Sequence, residues 1–315
     1  MFQNAIALLR SKLFSPIFKT ILLLVGVSLL FGCSSDMPFG FLKPNGVTAF
    51  EERQLFFDSL ALMLIVVIPV IIMSFAFVFR YRRTHHAKDY KPNWSHSVFL
   101  ETIWWGIPCA IIIILGVMTW KSTHKLDPFQ PIGNKPVDLR IQVVALPWKW
   151  LFIYPDQKIA TLNYLEVPKG KQVLFIMTND NVAMSAFFIP ELGSQIYTMA
   201  GMRTKLHVLP TFVGTYRGLN TQYNGEGFSD MHFPVHVVSD EEMAAWVKQV
   251  KKSSDKLTND EYQEIRKPSI AAPAKFYSVA PINLFDNVLN YYMTAKPGDK
   301  LVIETTSPEV NKHAK

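Results

Sequence analysis

The chain has 315 residues, of which 49% are hydrophobic, and its 32 Lys and Arg residues outnumber 25 Asp and Glu for a formal charge of +7. No folded stretch combines a block of Lys and Arg with interleaved aromatic residues, which argues against a nucleic-acid partner. With only Cys33 and Cys109, a disulfide scaffold or a Cys-based zinc site is also disfavoured. The apolar excess favours a membrane protein.

Residues 1–32 have the pattern of a secretory signal peptide. A basic stretch with Arg10, Lys12 and Lys19 precedes the apolar run 21–31, which is too short to span a bilayer. Residues 30–33 read LFGC and resemble a bacterial lipobox. This predicts cleavage before Cys33 and lipid modification of its thiol. An uncleaved signal anchor with an incidental cysteine is the alternative.

Two transmembrane helices follow an external segment, 33–57. Residues 59–79 carry no charge, which predicts the first helix over 58–80, and a second apolar run predicts another over 98–120. The intervening loop, 81–97, contains Arg82, Arg83, Lys88 and Lys91 against Asp89. Such a basic loop belongs in the cytoplasm. Residues after 121 are therefore expected outside the cytoplasm.

Beyond the helices the hydrophobic period changes to that of a β-domain, predicted over 121–267. Residues 137–145 alternate apolar and polar, which predicts a half-buried strand, and further short strands are expected at 172–178, 205–209, 211–217 and 232–238. This spacing is typical of a sandwich or barrel. Ser239 with Glu242 and Thr258 with Glu261 predict two capped helices. Residues 268–315 are expected to be a linker, an aromatic-rich docking segment and a charged tail.

The stretch 220–231 (NTQYNGEGFSDM) is in register with a known copper-binding loop. When the stretch is aligned with the loop Cys-x3-Cys-x3-His-x2-Met of cytochrome c oxidase subunit II, the cysteine positions hold Asn220 and Asn224, and the histidine position holds Phe228. Met231 remains, and Met184 occupies the position of the other copper histidine. A binuclear copper site needs thiolates and imidazoles. We therefore expect no metal at these five positions.

Several stretches resemble subunit II of the bacterial cytochrome bo-type quinol oxidases. They are residues 145–155, 181–193, 194–202 and the aromatic-rich C-terminal segment. The resemblance implies a two-helix membrane hairpin followed by an external, cupredoxin-like Greek-key β-sandwich or barrel. It also implies a lipid-anchored subunit of an inner-membrane complex that oxidises ubiquinol, reduces dioxygen to water and pumps protons.

The same resemblance assigns the cofactors and partners. Hemes, copper and quinol would be handled by subunit I, so this chain would hold no cofactor and would contact subunit I, other oxidase subunits and membrane lipids. Because a lipid-soluble quinol delivers electrons within the membrane, an external copper port is not needed. A copper-containing cytochrome c oxidase subunit and a membrane-tethered binding lipoprotein without oxidase partners are the alternatives.

Glu101 is the ionisable residue of greatest interest. It lies at the cytoplasmic start of the second predicted helix, where an unpaired carboxylate is costly. The resemblance places it at the mouth of a proton-uptake pathway into subunit I. An acid favoured by the helix macrodipole is the equally weighted alternative.

Six residues could suggest functional roles but are expected to be structural. Met184 and Met231 are interpreted as core residues rather than thioether ligands. His232 and His236 are expected on a strand, where their Cα atoms would lie about 13 Å apart and could not share one ion. Trp148 and Trp150 are expected on one face of a strand, as packing residues.

Overall fold

The computed structural model describes residues 20, 40–81, 95–181, 183–294 and 301. The chain divides into two compact units, Met1–Lys43 and Pro44–Lys315. In the described part of the first unit, Gly40–Leu42 form a 3-10 turn. Cys33, the lipobox and most of the basic loop predicted as cytoplasmic lie outside the described residues. All elements discussed below belong to the second unit.

Two long apolar helices open the second unit. Helix α1 spans Val47–Arg80 and helix α2 spans Val98–Lys125, and both are long and apolar enough to cross a membrane. None of the residues in their most apolar segments is buried within the chain. Helix α1 begins before the predicted span, so residues 47–57 of the expected external segment are helical.

The start of α1 is bound to loops of the β-domain. The backbone N–H groups of Asn45 and Gly46 donate to the carbonyl of Glu191, and the Glu52 carboxylate accepts from the backbone and hydroxyl of Ser194. A side chain on Gly193 would meet the backbone of Ala49 at 2.5 Å, so only glycine permits this approach. The Gly46 contact, with the bond from the Val47 N–H to the Leu209 carbonyl at 3.2 Å, satisfies N–H groups that a helix start leaves unbonded.

The β-domain is a sandwich of two mixed sheets. The strands are β1 Leu139–Leu146, β2 Lys149–Tyr154, β3 Ile159–Leu162, β4 Leu165–Pro168, β5 Val173–Asn179, β6 Ser185–Phe188, β7 Gln195–Thr198, β8 Thr204–Val208, β9 Gly214–Asn220, β10 His232–Val238 and β11 Lys275–Tyr277. Strand order is β11-β3-β2-β1-β5-β8 in the larger sheet and β4-β10-β9-β6-β7 in the smaller, with β1 parallel to β5 and β4 parallel to β10. The predicted fold class, an apolar helix pair followed by a β-sandwich, is confirmed.

Aromatic side chains fill the space between the sheets. Trp150 and Phe152 of β2 contact Phe187 of β6 and Phe233 of β10, with ring centroids 4.9 to 6.4 Å apart. Such edge-to-face and tilted ring pairs add stability beyond the area that they bury. The core therefore joins β2 of the larger sheet to β6 and β10 of the smaller one.

Strand β1 is more deeply buried than the half-buried strand that the sequence predicts. Its first residues alternate, with Arg140 exposed, but Val143 to Leu146 are buried on both faces. The outer face of the larger sheet is covered by two helices, α4 Asn259–Arg266 and α5 Leu284–Thr294, which pack over β1 and β2. Residues buried there include Val144, Leu151, Tyr262, Ile265, Leu284, Phe285 and Val288. A further helix, α3 Asp240–Val250, packs instead against the core between the sheets.

The aromatic-rich C-terminal segment packs on this same sandwich. Strand β11 pairs with β3 at the edge of the larger sheet, and α5 packs against it. The central contact is the Asp180 carboxylate, which is fully buried and accepts from Tyr262 at 2.6 Å, Tyr292 at 2.9 Å and Arg266 Nε at 2.9 Å.

Burial and the Asp180 carboxylate shift the pKa values of the side chains that contact it. Burial opposes the charge on Arg266, but the Asp180 carboxylate outweighs it and raises the Arg266 pKa. Burial, with Asp180, also raises the pKa of Tyr292 to about 12. At neutral pH the cluster is therefore one ion pair with two hydroxyl donors.

Replacing Asp180 with Asn should destabilise the chain by about 3 kcal/mol or more, because a largely buried guanidinium would lose its counter-charge. Denaturant unfolding of the full chain in detergent measures this loss. The control is Asp286→Asn, which breaks the exposed Arg203–Asp286 pair and should cost less than about 1 kcal/mol. Equal losses in the two variants would contradict the assigned role.

Candidate functional site

The loop that is in register with a copper site connects β9 to β10 at one end of the sandwich. Asn220 is the last residue of β9, and Met231 directly precedes β10. Between them Phe228–Asp230 form a 3-10 turn. The loop is therefore short, and both of its ends belong to the smaller sheet.

Asn220 is buried and fully engaged by its own surroundings. Its amide oxygen accepts from the backbone N–H of Ala186 at 2.8 Å and of Gln222 at 3.1 Å, and its amide nitrogen donates to the carbonyl of Gln222 at 2.7 Å. Its backbone N–H donates to the carbonyl of Met231 at 3.0 Å. The side chain therefore ties the loop to β6 by hydrogen bonds.

Asn224 makes the second link across the loop. Its amide nitrogen lies 3.2 Å from the Ser185 hydroxyl and 3.2 Å from the Met231 sulfur. Met231 is itself buried in the sandwich core. The structure thus brings three of the predicted positions together, Asn220, Asn224 and Met231, through hydrogen bonds.

The other two positions do not complete a ligand set. The Phe228 ring packs against Tyr223, with centroids 5.6 Å apart, and Met184 lies half-buried just before β6. The donors present are two amides and two thioethers, without the thiolate that bridges copper ions. Cys109, the one cysteine in the described part of the chain, lies on α2. These residues do not fit a binuclear copper centre.

Trp148 covers the loop, and its position differs from the prediction. It lies in the turn between β1 and β2 with a positive φ of 60°, so it does not share a strand face with Trp150. Its indole nitrogen donates to the carbonyl of Asn224 at 3.2 Å. A side chain on Gly227 would meet the ring at 2.6 Å. Packing against these loop residues stabilises a backbone conformation that is rare outside glycine.

Ser185 and the backbone of Ala186 are site residues that the sequence does not reveal. They come from β6, and their role depends on a strand pairing that brings β6 beside β9. The spacing of Gly225 and Gly227 was the one available signal for a bulky neighbour. That signal does not identify the neighbour as Trp148.

The two strand histidines lie on β10, as predicted. Burial lowers the pKa of His236, and burial together with Arg217 lowers the pKa of His232. The His236 ring stacks on Tyr164, with centroids 4.9 Å apart. Both imidazoles are therefore neutral at pH 7 and serve as packing and hydrogen-bonding groups. Among the residues described, no cluster of three His, Cys, Asp or Glu side chains could hold a metal ion.

Glu101 lies in the first turn of α2, which Ser97 caps through a hydrogen bond from the Leu100 N–H. Its carboxylate is 56% exposed and lies 3.5 Å from the His96 imidazole. The carboxylate is therefore open to solvent in the isolated chain, next to a group that can carry a proton.

Among solved structures, the chain is similar to the periplasmic domain of subunit II of cytochrome oxidase from Bradyrhizobium japonicum. The match has 24% identity and a TM-score of 0.36, and it covers 38% of this chain and 96% of that domain. A family model described as the COX Aromatic Rich Motif matches residues 251–296, which include α4, β11 and α5.

Two bacterial proteins are similar over most of their length. One, the cytochrome bo(3) ubiquinol oxidase subunit 2 of Pseudomonas aeruginosa, is 45% identical over 264 residues, covering 84% of this chain and 78% of that protein. The protein of the same name in Pseudomonas putida is 44% identical over 282 residues, covering 90% of this chain and 88% of its own. The chain belongs to the family of cytochrome bo(3) ubiquinol oxidase subunit 2.

Proposed function

We propose that this chain is the accessory subunit II of a proton-pumping respiratory quinol oxidase. In this proposal hemes and copper reside in subunit I, where ubiquinol is oxidised and dioxygen is reduced to water. Subunit II would carry no redox centre, and its role would be to assemble the complex and cover the external side of subunit I. The proposal follows the names of the relatives and extends them to this chain.

The observation that carries the non-catalytic role is the hydrogen-bonded loop. Asn220 and Asn224 satisfy the loop backbone and the Met231 sulfur where thiolates would otherwise hold copper. Without thiolates, no external electron port can form there. A lipid-soluble quinol donor makes such a port unnecessary, because its electrons enter from within the membrane.

The membrane placement follows from the two apolar helices. The basic loop between them favours a cytoplasmic position, which puts the β-domain in the periplasm. We include in the proposal a lipid anchor on Cys33, supported by the LFGC sequence alone. An intact mass without acyl chains, on a chain that still begins at residue 1, would refute the anchor.

We further propose that Glu101 contributes a carboxylate to proton uptake. Its exposure and its proximity to His96 support this role. The competing explanation is purely structural, since an acid in the first turn of a helix is favoured by the macrodipole by about 0.3–1 kcal/mol.

Gentle solubilisation of membranes that express the tagged chain should yield a complex containing hemes, with ubiquinol oxidase activity. The visible spectrum and donor preference of the purified material measure this. A chain that purifies without heme would support a membrane-tethered binding lipoprotein instead. Activity that requires cytochrome c, with copper bound to this chain, would support a cytochrome c oxidase.

Replacing Glu101 with Gln should slow proton-coupled oxygen reduction several-fold without reducing assembly, since the amide cannot transfer a proton. Turnover per heme is the measurement. Glu51→Gln is the matched control, because Glu51 pairs with Lys125 at the opposite end of α2, at 2.7 Å. Normal turnover in the Glu101 variant would leave only its favourable interaction with the helix macrodipole.

Replacing Asn220 with Ala should lower stability by about 1–3 kcal/mol, because the buried N–H of Ala186 would lose its acceptor. Turnover of the assembled complex should stay the same, since the loop transfers no electrons. Gln222→Ala is the control, because that residue contributes its backbone to the contact. A loss of turnover in an intact Asn220 variant would contradict a structural loop.

A further inference from the structure

One carboxyl of the smaller sheet is buried without a counter-charge. Glu166 lies on β4, at the edge of that sheet, and is 5% exposed. Among the described residues, the Tyr164 hydroxyl donates to its carboxylate at 3.0 Å, and no Lys or Arg forms an ion pair with it. A single neutral donor compensates a buried negative charge poorly, so these surroundings favour the protonated carboxyl.

Helix α3 packs on β4, next to this carboxyl. The Trp246 ring of α3 lies 6.1 Å from the Tyr164 ring and 5.4 Å from the Tyr154 ring, measured between centroids. The Tyr154 hydroxyl donates to the Glu166 carbonyl and accepts from its N–H, both at 3.0 Å. The two tyrosines that hold Glu166 are therefore also the residues on which Trp246 of α3 rests.

A crevice of about 320 Å³ borders the same contact. It lies between α3 and β11, and its lining includes Tyr164, Trp246 and Phe276. The packing of α3 around the Tyr164 ring is therefore incomplete on this side. Water can enter here when the helix moves outward.

We propose that Glu166 is a pH-sensitive switch that controls how tightly α3 packs on the smaller sheet. The protonated carboxyl is neutral, so it stays buried beside Tyr164 and α3 remains closed. The ionised carboxylate lacks a counter-charge, so it favours states in which α3 opens and water reaches the charge.

The surroundings of Glu166 move its titration into the neutral range. Burial raises its pKa from 4.5 to about 7, the Tyr164 hydrogen bond opposes that rise, and the Glu242 carboxylate of α3 adds to it. Between these two pH values an opened chain has lost the proton that the closed form still holds. The stability of the closed form therefore falls as the pH rises from about 4.5 to about 7, and it is level above that range.

The other titratable groups at this contact do not produce the same dependence. Burial raises the pKa of Tyr164 and of Tyr154, so both hydroxyls keep their protons. Hydrogen bonds at the start of α3 lower the pKa of Glu242, which stays ionised above about pH 5. Burial lowers the pKa of His236, whose ring stacks on Tyr164 from β10. Such a histidine loses stability as the pH falls, which is the opposite sign to Glu166.

The switch goes beyond the proposed function and does not require it, because it is a property of the β-domain alone. In the proposed oxidase this domain would face the compartment that receives the pumped protons. A fall in pH there would close α3 over the sheet.

The test is hydrogen–deuterium exchange of the full chain in detergent, measured at α3 between about pH 5 and pH 9 and corrected for the intrinsic exchange rate. In the wild type, protection of the α3 amides should fall roughly tenfold or more from about pH 5 to pH 8, since each unit of pKa shift is a tenfold change in population. Glu166→Gln keeps an acceptor for the Tyr164 hydroxyl but cannot ionise, so its α3 protection should stay level.

Tyr164→Phe is the second variant, and it removes the hydroxyl that favours the ionised carboxylate. The midpoint of the fall should therefore move to higher pH. Glu226→Gln, which changes an exposed acid of the β9–β10 loop, is the control and should behave like the wild type. The same fall in Glu166→Gln as in the wild type, or no fall in either, would overturn the proposal. A midpoint that does not rise in Tyr164→Phe would overturn it as well.

Discussion

The buried carboxylate of Asp180 is the constraint on which the arrangement of the β-domain depends. An ionised group without solvent must find donors and a counter-charge. Here they come from Arg266 and Tyr262 on α4 and from Tyr292 on α5, all within residues 251–296. The C-terminal segment therefore completes the charge balance of the sandwich and is an integral part of the fold.

That constraint also explains why the larger sheet has two buried faces. The helices that bring donors to Asp180 cover the outer side chains of β1 and β2, such as Val144 and Leu151. The apolar cover and the ion pair support each other, since burial of the apolar side chains removes the water that would weaken the pair. A buried pair is weak evidence for net stability, but it specifies one docking position for α4 and α5.

The sequence predicts local features well and long-range ones poorly. The strand at 232–238 and the Ser239 capping box depend on residues within a few positions, and the structure shows both of them. The Asp180–Arg266 pair joins residues 86 positions apart and leaves no local pattern. The predicted position of Trp148 was wrong for a related reason, since its turn conformation depends on Gly225 and Gly227, which lie against its ring. The copper-loop positions were predicted through register, but Ser185 required knowledge of how β6 pairs.

Hydrogen bonds hold the β9–β10 loop together at the positions that are in register with a copper-binding loop. A bound ion would cross-link residues far apart in sequence, and here hydrogen bonds from Asn220 to β6 and from Asn224 to Ser185 and Met231 make the same connections. Each such bond contributes about 0.5–1.5 kcal/mol, far less than a metal would. Trp148 packs over the loop, and Asp180, in the turn after β5, is held by α4 and α5, so further contacts support this end of the domain. Hydrogen bonds to the Glu191 carbonyl and to the Glu52 carboxylate join the β-domain to the start of α1, so the domain and the first apolar helix are connected by more than the chain itself.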